Sequence, residues 1–164
     1  MTKDLNGKTV IVTGAGKGIG RATCLMLSGL GANVVAISRT ASDLESLKSE
    51  TGCKTHTFDI ANSAELRNVV RGMTSADGLV NCAGINILEP FLEVTEEAFD
   101  LIYAINTKAA MVAAQEFSRT LIAANRGGAI VNVSSMSSFV GFTDHTSYCA
   151  SKGAMDAMSR VMAN

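Results

Sequence analysis

Tyr148 and Lys152 stand four residues apart in the stretch "TSYCASKGAMDAMS". On a helix, residues four apart share a face, so the lysine ammonium can lie beside the phenol. A free phenol keeps its proton up to a pH of ~10. A neighbouring cation favours the phenolate and brings that proton into use nearer neutrality. A phenol tuned in this way can give a proton to a carbonyl oxygen as hydride arrives, or take one from an alcohol in reverse. Taken alone, Tyr-x3-Lys is commonly an exposed helix pair without chemistry. A second motif, far upstream, raises its standing.

That motif is Thr13–Gly14–Ala15–Gly16–Lys17–Gly18–Ile19–Gly20, directly after the apolar run "TVIVT". Glycines at this place allow a tight turn and let backbone amides approach a pyrophosphate. The helix that follows then points its partial positive charge at the phosphate. About twenty residues past such glycines, an NAD enzyme carries an acid that holds the ribose 2′-hydroxyl. Here the place reads Ile37–Ser38–Arg39–Thr40, with no acid. Arg39 suits a 2′-phosphate, and Lys17 can add a second charge. The expected cofactor is therefore NADP(H). Asp43 lies farther on, where the reading gives it to the positive end of the next helix.

The elements that must position these residues alternate. "TVIVT" (9–13), "NVVAIS" (33–38), "KTHTF" (54–58), "GLVN" (78–81) and "GAIVNVS" (128–134) read as strands. Helical spacing fills the gaps. Residues 18–30 place Ala22, Leu25, Met26 and Leu30 on one side. Ser42 and Glu45 form a capping box that opens the second helix, with Leu44 and Leu47 inside. Residues 63–73 form a third. A long helix runs from Glu96 to about Asn125 with Thr95 as its N-cap, and a last one starts near Ser147. Five alternations predict a single α/β domain over 1–164, a doubly wound parallel sheet with helices on both faces. Ligands of such sheets bind at the carboxyl ends of the strands, where strand order reverses. Every motif above falls there.

In order and spacing, these motifs resemble the short-chain dehydrogenase/reductase family, whose loop is TGxxxGxG. "NCAG" (81–84) stands where the family has NNAG, with Cys82 in place of the second Asn. Asn106 falls on the family's catalytic Asn, and Ser135, thirteen residues before Tyr148, on its Ser. The resemblance implies the Rossmann-like strand order 3-2-1-4-5 and a catalytic set of Asn106, Ser135, Tyr148 and Lys152. Ser135 would donate to the substrate oxygen, worth most as charge develops there. Lys152 would also hold the nicotinamide ribose, and Asn106 a water completing a proton relay to Lys152. It further implies cofactor contacts at Asn81, Ala83 and Gly84, and adenine contacts at Asp59 and Ile60. The cofactor set is completed by Gly14, Lys17, Gly18, Ile19, Gly20, Ser38, Arg39, Thr40, Tyr148 and Lys152. The stretches "TGAGKGIGRAT", "PFLEVTEEAFD" and "AIVNVSS" point within the family to reductases of small sugars and dicarbonyls.

The expected substrate is thus a small carbonyl compound or ketose and its alcohol. The alternatives are a 3-oxoacyl thioester reductase and a non-catalytic nucleotide-binding or assembly subunit. The first would need a basic docking patch for an acyl carrier, which the sequence does not display. Fourteen basic and fifteen acidic residues leave a net charge of -1, without a basic block. Nucleic acid and anionic membrane are therefore not expected partners. No apolar run approaches a membrane span, and the start lacks the apolar stretch of a signal peptide, so the expected location is cytoplasmic. Cys24, Cys53, Cys82 and Cys149 are far apart and read as free thiols. No metal site is expected. Met155, Met158 and Met162 read as core, Tyr103 as packed, His56 as strand surface, and His145 either as a surface loop residue or as one that touches substrate. "VMAN" carries no helix stop. The family's proteins continue with two more strands, so the expectation is a piece of a longer reductase, homo-oligomeric at full length, with its fifth strand as an exposed edge.

Overall fold

The computed structural model describes residues 4–164. Five strands form one parallel sheet: β1 (Thr9–Thr13), β2 (Asn33–Ser38), β3 (Lys54–Thr57), β4 (Gly78–Asn81) and β5 (Ala129–Asn132). Their order is β3-β2-β1-β4-β5, and β1 runs in register with both neighbours, Ile11 opposite Val35 and Leu79. The helices are α1 (Gly18–Gly29), α2 (Ala41–Thr51), α3 (Ser63–Arg71), α4 (Glu96–Tyr103), α5 (Ala109–Ala123) and α6 (Thr146–Met162).

The strands are apolar on both faces because both faces are covered. Successive side chains point to opposite sides, so alternate residues enter different cores. Ile11, Val35, Ile37 and Leu79 join Leu66 and Val70 of α3 and Val112 and Phe117 of α5. Val10, Val12, Val34 and Ala36 join Cys24 of α1 and Leu44 and Leu47 of α2. Strand order reverses between β1 and β4, which opens a crevice at their carboxyl ends.

Several local expectations are corrected. Leu25 and Met26 of α1 are exposed, and its buried residues are Gly20 and Cys24. The reason at Gly20 is close approach: a Cβ there would overlap the Gly14 carbonyl oxygen, so only glycine fits at that point. Ser42 is not a cap. The chain turns at once after β2, α2 starts at Ala41, and Thr40 takes the N-cap position without a side-chain bond. The fifth strand ends at Asn132, although the Val133 amide still donates to the Asn81 carbonyl at 2.9 Å. Of the three methionines, Met155 is buried while Met162 is exposed.

Candidate active site and nucleotide cleft

The predicted long helix exists, with Thr95 Oγ1 accepting from the Ala98 amide at 3.3 Å. It is interrupted. Residues Ala104–Lys108 form a π-helical segment between α4 and α5. Asn106 sits in that widened turn and is fully buried. Its Nδ2 donates to the Ile85 carbonyl (2.9 Å) and to Ser151 Oγ (3.0 Å), and its Oδ1 accepts from the Ile85 amide (2.8 Å). One side chain thus ties the helix to the turn after β4 and to α6.

On α6, Lys152 is buried, unusual for a lysine. Its Nζ donates to the Val133 carbonyl at 2.8 Å and lies 5.7 Å from the centre of the Tyr148 ring. Burial pushes the ammonium below its ordinary value, against the opposing effects of Cys82 and Asp156. Between them, Ser151 Oγ donates to the Tyr148 carbonyl at 2.8 Å. Ser135 opens the turn after β5, where its hydroxyl accepts from the Ser137 amide and donates to Ser137 Oγ, both at 3.1 Å. A Cβ placed on Gly84 would stand 3.4 Å from Asn106 Oδ1 and 3.7 Å from Lys152 Nζ. The bare glycine therefore leaves a polar gap bordered by both residues, suited to a bridging water.

The glycine loop lies over the crevice. Gly14 has φ +68°, and a Cβ there would meet Ala83 Cα at 2.7 Å, so the loop rests directly on the "NCAG" turn. Thr13 Oγ1 fastens that contact by accepting from the amides of Cys82 (3.1 Å) and Ala83 (3.2 Å). The N-terminus of α1 has no capping side-chain bond and no acid in its first turn. Its amides are left for an anion, and Gly18, with nothing within 4 Å of an added Cβ, leaves room for it. The donor set fits a dinucleotide pyrophosphate. A cleft of about 600 Å³ joins Lys17, Gly18, Ile19 and Gly20 at one end to Tyr148 and Lys152 at the other, passing Ser38, Arg39, Thr40 and Gly84. A side pocket of about 110 Å³ holds Asp59, Ile60, Ala83 and Arg39. A larger cavity, about 690 Å³, lies at the amino-terminal ends of the strands beside Thr9 and Lys54, away from every residue of this set.

Lys17, Gly18, Ile19, Gly20, Ser38, Arg39, Thr40, Gly84, Tyr148 and Lys152 line one cleft, whereas Asn106 and Ser135 are not among its lining residues. Asn81 is not on the cleft surface: it is buried, with Nδ2 donating to the Ala110 carbonyl (3.3 Å) and Asn132 Oδ1 (2.9 Å). Sequence reasoning missed the role of Thr13, although a Thr ending a strand before glycines is a visible signal. It also missed Asp156, one turn after Lys152. The buried hydroxyls of Ser134 and Ser138 face that carboxylate and hold it below the usual range. Cys82 is half-buried at the cleft, and burial pushes its thiol up, against Lys152. His145 lies edge-on to Tyr148, ring centres 6.2 Å apart. Tyr103 stacks on Phe99 at 4.8 Å. Among the described residues no cluster of metal-ligating side chains occurs, and no helix is long and apolar enough to cross a membrane.

A family model described as short chain dehydrogenase matches residues 8–164. The L-xylulose reductase of Mesocricetus auratus is 45% identical over 164 residues, covering 99% of this chain and 67% of that protein. The D-erythrulose reductase of Gallus gallus is 43% identical over 166 residues, with 99% and 68% covered. A solved metagenomic short-chain oxidoreductase in complex with NADP matches with a TM-score of 0.91 at 29% identity, over 98% of this chain and 76% of that one. The chain spans about two thirds of the length of the curated relatives it matches.

Proposed function

Because the chain belongs to the short chain dehydrogenase family, we propose that it carries the NADP(H) site and proton-transfer residues of a reductase that interconverts a small ketone or ketose with its alcohol. One observation carries the reading: buried Lys152 and the Tyr148 ring lie at one end of a cleft whose other end is an uncapped helix N-terminus, with Asn106 buried behind Gly84. The nicotinamide, when bound, supplies or accepts the hydride. Tyr148 gives the proton to the carbonyl oxygen in reduction. Ser135 donates a hydrogen bond to the same oxygen, for which its hydroxyl must turn from Ser137. Lys152 holds a positive charge near the phenol and offers its remaining N–H groups to the ribose. Asn106, fixed by Ile85 and Ser151, presents its Oδ1 to the gap at Gly84, where a water passes protons toward Lys152. Arg39 and Lys17 receive the 2′-phosphate. The substrate class rests on relatives named for L-xylulose and D-erythrulose, both small ketoses.

The test is turnover with NADPH against small ketones, dicarbonyls, ketoses and a 3-oxoacyl thioester, in a chain competent for turnover. Ketose or dicarbonyl reduction is expected, and Tyr148→Phe should lower kcat ~10²–10⁴-fold while leaving nucleotide binding intact. A loss under about tenfold moves the acid role away from Tyr148.

A further inference from the structure

The adenosine end of the cleft contains a negative charge that the NADP(H) reading does not use. Asp43 lies in the first turn of α2 and lines the cleft with Ser38, Arg39 and Lys17. Its Oδ2 is 3.5 Å from Lys17 Nζ, and its side chain is only 20% exposed while that of Lys17 is 80% exposed. The position is fixed by packing. A Cβ on Gly16 would meet Ser38 Oγ at 2.8 Å and Asp43 Cβ at 3.1 Å, so the glycine loop presses onto both residues. Arg21 also reaches the Asp43 carbonyl at 3.5 Å. Arg39, by contrast, has no ion-pair partner among the described residues.

Three positive elements therefore converge here: Arg39, Lys17 and the side-chain-uncapped N-terminus of α2. Asp43 pairs with Lys17 and also sits in the first turn of α2, so two of them already have a carboxylate beside them. Resting on the nucleotide reading above, we propose that Asp43 limits the preference for NADP(H) over NAD(H). It occupies Lys17, and its charge opposes an incoming dianionic 2′-phosphate. A ribose 2′-hydroxyl meets the reverse situation, because a carboxylate is a good acceptor for it. Asp43 thus partly supplies, from the helix, the acid that is missing at the end of β2.

Calorimetric titration of adenosine 2′,5′-bisphosphate and of ADP tests this without turnover. The proteins are wild type, Asp43→Asn, Lys17→Met and the double variant, with Asp43→Ser as a second uncharged replacement and circular dichroism to verify the fold. Asp43→Asn and Asp43→Ser should tighten the bisphosphate about fivefold, the upper range for one part-exposed charge pair. ADP should bind the same or more weakly. In the Lys17→Met background the gain should shrink, since part of it comes from releasing Lys17. Weaker bisphosphate binding by both uncharged variants would mean that Asp43 positions Lys17 for the phosphate, and would overturn the proposal. So would equal tightening of both ligands. Wild type that binds neither ligand would overturn the nucleotide reading itself, and this inference with it.

Discussion

Replacing Asn106 by alanine should cost stability before any question of activity arises. The side chain is fully buried and makes three hydrogen bonds between 2.8 and 3.0 Å, two to Ile85 and one to Ser151. Each is worth about 1 kcal/mol net, and partners left without water cost more, so the loss should be about 3–4 kcal/mol. For a chain of this size, each kcal/mol moves the midpoint ~2–4 °C, which gives a Tm lower by roughly 10 °C. Urea unfolding followed by circular dichroism, with no nucleotide present, measures it directly, and an unchanged m-value would show that the two-state comparison is sound. Ser135→Ala is the control, because its hydroxyl bonds only within its own turn. That variant should stay within about 1 kcal/mol of wild type. If Asn106→Ala loses no more than Ser135→Ala, Asn106 is not the tie between the helix, the turn after β4 and α6.

Two further outcomes follow from the same geometry. Gly14→Ala forces an L-residue to φ +68° and drives its Cβ to 2.7 Å from Ala83 Cα. The conformation alone costs ~1–2 kcal/mol, and the backbone contact adds to it. Gly18→Ala, at φ +53° with open space around it, should carry only the conformational part. Equal urea midpoints for the two variants would contradict this. Lys152 gives a pH signature. Burial depresses its ammonium below 10.5, so between the depressed value and 10.5 the unfolded chain holds a proton that the native chain has released. Native stability contributed by this group therefore rises with pH across that window. Unfolding free energies from about pH 8 to 10.5 should rise less steeply in Lys152→Met; identical slopes would refute the account.

The sheet was legible because β1, β2 and β4 are short apolar runs next to glycine or turn residues, and tertiary packing did not override that signal. Strand order came with the family resemblance, since alternation alone leaves it open. The glycine loop over the cleft was legible for a related reason: glycines are placed where backbone contact leaves no room for a side chain, as at Gly14 and Gly20. The contact face of α1 was misread because hydrophobicity ranks Leu25 and Met26 above Gly20 and Cys24. At close approach, size decides and greasiness does not. The Ser42 cap failed because the chain entered the helix two residues sooner than its polar signature. Asn81 is expected at the cofactor by its place in "NCAG"; in the structure its Nδ2 is turned to Ala110 and Asn132, while its Oδ1 is left without a partner. Asp156 gave no signal at all, since its importance lies in Ser134 and Ser138, which reach it only after folding.

The π-helical turn at Ala104–Lys108 also has a meaning in terms of phase. A regular helix advances ~100° per residue, and one wide turn holds one residue too many. The segment before it and the segment after it are therefore out of step. α4 turns Ala98 and Ile102 inward on its own phase, while α5 turns Val112, Ala113 and Phe117 inward on another. Without the extra residue, α5 would be turned by about 100° relative to α4. Shortening the chain by one residue here would ease the backbone but rotate one whole half against its neighbours, and carry Asn106 off its axis. The irregularity is thus a splice between two helical registers, and the residue that marks the joint is the one bonded on both sides.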